Sequence, residues 1–242
     1  MSGVGSINVR SKALHQIPTC QQSQTPQGVI EYCDAGQGPP ILYFHGTGAG
    51  CDSVFILEQW LLDDGFRVIA PNRPGYYGTP LTSGRSASEC ADLAAALLES
   101  LHVDRVAVIG TSGGGLAACR FASLRPARTA CLVLQCAVAH PFSTPGWMPA
   151  HLHWLHWAFW HHRICLPLLR LGFRWEMRKI RRDANAVSDS LCGTRAAELL
   201  DDDATRSYAR LLTASELRCA RQPAGIENDW ANDSGPHWLT PE

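Results

Sequence analysis

The residues best placed to do chemistry are Gly110-Thr111-Ser112-Gly113-Gly114. An apolar run, Val106 to Ile109, stops at Gly110, and helix-forming sequence from Leu116 to Leu124 begins soon after the glycines. A serine held between a strand and a helix must take a tight, strained backbone conformation, and glycines two residues to either side let neighbouring backbone pass without a Cβ clash. The turn pushes the Ser112 hydroxyl out at the carboxyl end of the strand. The next N–H, that of Gly113, then lies at a helix N-terminus, where it can face an oxyanion developing on a carbonyl under attack. The chemistry on offer is nucleophilic acyl transfer through an acyl-Ser112 intermediate.

Other chemistries fit less well. Gly46-Thr47-Gly48-Ala49-Gly50 follows an apolar run, but the third glycine of a dinucleotide-binding Gly-x-Gly-x-x-Gly would fall on Cys51. Gly110 to Gly115 lacks the Lys-Ser/Thr of a phosphate-binding loop. The 10 cysteines are scattered without a C-x-x-C pair, so zinc ribbons and dithiol redox motifs are not expected. The histidine-rich run His151 to His162 could place His153 and His156 on one helix face. No carboxylate or cysteine completes a ligand set there, and neither a metal nor a cofactor is expected. A net charge of -1 gives no reason to expect nucleic acid as partner.

These residues need a scaffold, and strand and helix patterns alternate from residue 28 to 138 with short connections, the signature of a parallel α/β sheet. Gly28 to Cys33, Ile41 to Phe44, Arg67 to Ala70, Val106 to Ile109 and Ala130 to Val138 read as strands. An edge strand is expected near Ala13 to Ile17. A helix is predicted from Asp52, as N-cap, to Leu62, with Val54, Leu57, Trp60 and Leu61 as its apolar face. Ser86-Ala87-Ser88-Glu89 is a capping box opening a helix to Leu101. The domains divide as 1–27, a polar N-terminal segment; 28–140, the α/β core; 141–220, an all-helical block; and 221–242, a C-terminal tail. Neither an apolar leader nor a transmembrane stretch is visible, and reduced thiols fit a cytoplasmic protein.

With these residues placed, the chain resembles the α/β-hydrolase superfamily from about Gly28 to Val138. Four features carry the resemblance, in order: the Gly-Pro-Pro turn before an apolar strand, His45-Gly46-Thr47-Gly48, Asn72-Arg73-Pro74-Gly75-Tyr76-Tyr77-Gly78, and the Gly-x-Ser-x-Gly elbow at Ser112. The second is similar to the family's oxyanion loop. The third is similar to its Asp-Arg-Pro-Gly-x-Gly turn, with Asn72 for the aspartate and one extra residue. Helical i, i+3 spacing predicts that Trp154 and Trp157 face inward together, with Trp160 toward a flank, and the resemblance implies a mostly parallel sheet flanked by helices with 141–220 as a helical cap. It also implies Ser112 as nucleophile, the backbone N–H groups of Thr47 and Gly113 as oxyanion hole, and His45 as a loop-holding residue.

The family's acid and histidine follow the nucleophile on later strands. Nothing after residue 220 reads as a strand, so the expectation is a C-terminally incomplete hydrolase without a clear acid and base. The substitutes are His140, His237 and Asp229. The implied function is hydrolysis of a small apolar ester or related acyl substrate by a serine hydrolase. The alternative is a non-catalytic, truncated or degenerate relative that at most binds apolar ligands. Lacking a neighbour, Cys131 to Ala137 would form an apolar, uncharged edge strand and a route to self-association.

Overall fold

The apolar run Ile41 to Phe44 is buried on both faces of a central sheet, as its lack of polar alternation predicts. The structure is a computed structural model, which describes residues 17–138 and 223–233. Its sheet contains β1 (Gln21–Thr25), β2 (Gly28–Ala35), β3 (Pro40–Phe44), β4 (Arg67–Pro71), β5 (Val106–Thr111) and β6 (Thr129–Gln135), in the order β1-β2-β4-β3-β5-β6. The pairs β4–β3, β3–β5 and β5–β6 are parallel, while β1 and β2 form a hairpin and β2 runs antiparallel to β4.

Helices cover both faces: α1 (Cys51–Leu57), α2 (Gln59–Asp63), α3 (Ala87–Ser100) and α4 (Gly115–Leu124), with α5 (Pro223–Asp233) beyond. Leu42, Phe44, Val106 and Val108 pack on one side against Leu93 and Leu97 of α3 and Phe121 of α4. Ile41, Tyr43, Val68 and Ala70 pack on the other against Val54 and Phe55 of α1 and Leu61 of α2. Each large side chain so buried contributes roughly 1.5–3 kcal/mol. The capping box of α3 forms as expected: Glu89 N–H donates to Ser86 Oγ (3.1 Å), and Ser86 N–H donates to Glu89 Oε2 (2.8 Å).

Three local readings are corrected. The edge strand is Gln21–Thr25, not the stretch near Ala13 to Ile17, of which only Ile17 is described, outside any strand. It forms because Thr25 closes a tight turn, donating through Oγ1 to Gly28 O (2.8 Å) while Gln27 N–H donates back to that Oγ1 (3.2 Å). The helix expected over 52–62 starts at Cys51 and breaks at Glu58, leaving Leu57 and Trp60 42% and 53% exposed while Phe55 and Ile56 are buried. The break has a tertiary cause. The Glu58 carboxylate turns inward to accept from Tyr43 Oη (2.9 Å) and Trp60 Nε1 (2.6 Å). Finally, β6 ends at Gln135 rather than Val138, because Cys136 takes a left-handed φ of 46°. The expected cap over 141–220, including Trp154 and Trp157, lies outside the described residues.

Candidate active site

The Ser112 turn is tight. β5 ends at Thr111, Ser112 takes φ 49°, and a 3-10 turn over Ser112–Gly114 leads straight into α4. A non-glycine residue with positive φ is strained, and such strain concentrates where function requires it. Close packing of strand against helix explains Gly110: a Cβ there would sit 2.5 Å from Ala118 Cβ and 3.0 Å from Gly115 Cα. Past β6 the chain curls back, and Val138 N–H donates to Ser112 O (2.8 Å).

The loop after β3 lies directly against this turn. A Cβ on Gly46 would be 3.2 Å from Ser112 Cβ. A Cβ on Gly113 would be 2.1 Å from Thr47 Oγ1 and 3.4 Å from Thr47 N. The structure thus brings together Ser112, Gly113 and the backbone of Thr47.

What holds that loop is a buried cluster around Arg73. Its Nη1 and Nη2 donate to Asp229 Oδ1 (2.5 Å) and Oδ2 (2.7 Å), and both side chains are only 6% exposed. Tyr76 Oη (2.6 Å) and Thr47 Oγ1 (2.7 Å) also donate to Asp229 Oδ2. Arg73 Nε donates to His45 O (2.9 Å), and its Nη1 reaches Gly113 O (3.5 Å). One guanidinium therefore braces the loop, the elbow and α5 together. The adjacent Asp229 charge raises the Arg73 pKa against the burial that opposes it, and burial with the same carboxylate keeps the Tyr76 phenol protonated. Beside α5, a cavity of about 20 Å³ lined by Arg73, Cys90, Leu116 and Asp229 is of water size rather than substrate size.

His45 is positioned to hold the loop. Its Nε2 accepts from Arg73 N–H (3.0 Å) and its Nδ1–H donates to Gly46 O (2.8 Å), which engages both ring nitrogens. Burial first, and the Arg73 charge second, push its pKa well below the ordinary histidine value, so the ring is neutral. Asp229 comes into the site region, with its carboxylate already accepting four hydrogen bonds. His140 and His237 lie outside the described residues. No hydrogen bond joins Ser112 Oγ to a histidine among the described residues.

The sequence offered Arg73 and Tyr76 only as members of the turn motif, without a role for either side chain, and Tyr43 only as part of an apolar strand. Arg73 and Asp229 lie 156 positions apart, a separation that no local pattern encodes. Tyr43 supports the elbow from the opposite face, its Oη 2.6 Å from Thr111 Oγ1, the residue before the nucleophile candidate. A tyrosine in an otherwise apolar strand was the available signal, since a buried phenol needs a partner.

The family described as alpha/beta hydrolase fold matches residues 39–163, a span holding the β3 loop, the Arg73 turn and the elbow. A 2-hydroxy-6-oxo-2,4-heptadienoate hydrolase of Pseudomonas putida is 30% identical over 204 residues, which cover 81% of this chain and 68% of that protein. The hydrolase YcgS of Bacillus subtilis is 37% identical over 118 residues, 49% of this chain and 41% of YcgS. The match to the poly(3-hydroxyalkanoate) depolymerase of Ectopseudomonas oleovorans, 38% identical over 118 residues, likewise spans 46% of this chain and 41% of that protein, so the chain spans about two-fifths of these two curated relatives. Among solved structures, an alpha/beta hydrolase fold protein from Nakamurella multipartita superposes with a TM-score of 0.62 at 27% identity, covering 89% of this chain and 74% of that one. The chain belongs to the α/β-hydrolase family. No helix among the described residues is long and apolar enough to cross a membrane.

Proposed function

We propose that the chain is a serine hydrolase acting on a small apolar ester or related acyl compound, with Ser112 as nucleophile. The observation that carries this reading is the strained Ser112, at φ 49° between β5 and α4, with the backbone of Thr47 and Gly113 alongside. Ser112 Oγ adds to the substrate carbonyl carbon while its proton passes to a general base. The carbonyl electron pair moves onto oxygen, and the resulting oxyanion is received by the N–H groups of Thr47 and Gly113. Collapse expels the alcohol, which takes the proton, and leaves the acyl group on Ser112. Water then attacks that ester by the same route and releases the acid. A preorganised N–H donor of this kind is worth about 2.7–4 kcal/mol of barrier.

In this reading the base is sought among His140 and His237, and Asp229 acts as a clamp on the oxyanion loop. Relatives named as a dienoate hydrolase and a poly(3-hydroxyalkanoate) depolymerase support carbonyl chemistry without selecting a substrate. The apolar substrate is proposed from the Trp-rich sequence of 151–162. A fluorophosphonate probe tests the core claim. It is expected to label the chain once, with labelling abolished by Ser112→Ala. Labelling that survives the alanine change removes Ser112 from the mechanism, and a wild-type chain that resists the probe favours the non-catalytic alternative.

A further inference from the structure

Behind the oxyanion loop, away from any role in acyl transfer, three cysteines converge. Cys20 Sγ lies 3.2 Å from Cys33 Sγ and 3.4 Å from Cys51 Sγ, and Cys33 Sγ lies 3.2 Å from Cys51 Sγ. The ligand atoms form a nearly equilateral triangle. Cys20 precedes β1, Cys33 is on β2, and Cys51 opens α1, so the fold assembles the cluster from positions 13 and 18 apart. That spacing matches no short metal motif, which is why the sequence carried no expectation of a metal. Cys33 and Cys51 are fully buried and Cys20 is exposed. The triangle therefore has a closed interior side, Cys33 to Cys51, and one corner, Cys20, open to water.

We propose that Cys20, Cys33 and Cys51 form a three-thiolate site for a thiophilic d10 cation, zinc, with the fourth position open to solvent. Zinc binds thiolate sulfur at about 2.3 Å in tetrahedral geometry, which sets neighbouring sulfurs about 3.8 Å apart. Starting from edges of 3.2–3.4 Å, each sulfur has only to move outward by about 0.3 Å, within the reach of a small χ1 rotation. A disulfide instead has to draw one pair in to about 2.05 Å and leaves the third thiol unused. The symmetry of the triangle favours the ligand that uses all three sulfurs. A cation would compensate the charge that prevents three thiolates from coexisting, and its binding would release protons.

The site has a structural consequence. Cys51 follows the loop that carries Thr47, and its N–H donates to Asn72 Oδ1 (2.7 Å). A bound ion would tie this end of the loop to β2 and to the segment before β1.

Cobalt(II) is the spectroscopic probe, added to the reduced, desalted full chain, with zinc(II) used afterwards to displace it. The expected result is one cobalt per chain, an intense thiolate-to-cobalt charge-transfer band with the visible bands of tetrahedral cobalt, and loss of both on adding one equivalent of zinc. Cys20→Ser, the exposed position and so the variant least able to disturb folding, is expected to weaken cobalt binding at least 100-fold with an unchanged far-ultraviolet dichroism spectrum. Cys51→Ser is expected to weaken it as much, and Cys131→Ser, on β6, to leave it unchanged. Absence of stoichiometric binding overturns the proposal, as does a folded Cys20→Ser chain that binds like wild type. So does a reduced chain that takes up no metal while its oxidised form carries a disulfide among these three cysteines.

Discussion

Replacing Asp229 by asparagine separates two roles for this carboxylate. In the structure it accepts from Arg73 Nη1 and Nη2, Tyr76 Oη and Thr47 Oγ1, and the ion pair is 6% exposed on each side. Asparagine keeps the shape but offers one oxygen in place of two and no charge. Its NH2 group must then face a donor, and the buried Arg73 guanidinium loses this counter-ion. Breaking a buried ion pair from one side typically costs about 3–5 kcal/mol, because the remaining charge stays desolvated. Asp229→Asn should therefore lower the urea midpoint by an amount equivalent to at least about 3 kcal/mol at unchanged m-value. The fluorophosphonate labelling rate of the folded protein, measured well below the transition, should fall by no more than about 10-fold, as expected for slight misplacement of Thr47 rather than loss of a catalytic group. Were Asp229 the acid of a triad, the same substitution would cost about 10⁴ in rate with the geometry intact. A variant that loses less than about 1 kcal/mol of stability but thousands-fold in labelling refutes the clamp argument.

Two further expectations follow from the same geometry. His45 is held neutral in the folded state with its pKa below the ordinary 6.5, so the unfolded chain binds its proton first as the pH drops. Its contribution to stability is complete above pH about 6.5 and is lost below it, at up to about 1.4 kcal/mol per pH unit. His45→Gln should flatten the pH dependence of the urea midpoint between pH 7 and 5, and a slope equal to wild type contradicts the assignment. On β6, Leu132, Val133 and Leu134 are 37%, 46% and 42% exposed at the end of the described sheet order. Self-association through this strand is expected at tens of micromolar, and Val133→Lys should reduce it, because an edge lysine opposes strand pairing. Dynamic light scattering that finds a monodisperse monomer in both proteins counters this.

Legibility in the sequence followed the range of the interaction. The elbow could be read because Gly110, Ser112 and Gly113 act within one turn. The α3 cap could be read because Ser86 and Glu89 satisfy each other across three residues. The break between α1 and α2 could not, since it depends on Glu58 finding Tyr43 on a strand and Trp60 beyond it. Helical periodicity placed Leu57 and Trp60 on the buried face; the break rotates them out. The Arg73–Asp229 pair and the cysteine triangle are invisible for the same reason, being made of residues whose proximity exists only after the sheet has formed.

Asn72, where the family's turn carries aspartate, is accounted for by its neighbours. Its Nδ2 donates to Glu31 Oε1 (2.9 Å) while its Oδ1 accepts from Cys51 N–H (2.7 Å). Burial already raises the pKa of Glu31, and an aspartate here would set a second carboxylate against it with no N–H to offer. Asparagine meets both demands at once. Its neighbour Arg73 grips the other end of the same loop through His45 O and the His45 ring. The two residues that end the β4 excursion thus pin the start and finish of the stretch from His45 to Cys51, and Asp229 pins Thr47 between them. In the proposed mechanism, a loop held at three points would present its backbone N–H groups without reorganising, which is what stabilisation of a developing oxyanion requires. The position of Thr47 beside Ser112 is in this sense a property of β4 and α5 as much as of the loop itself.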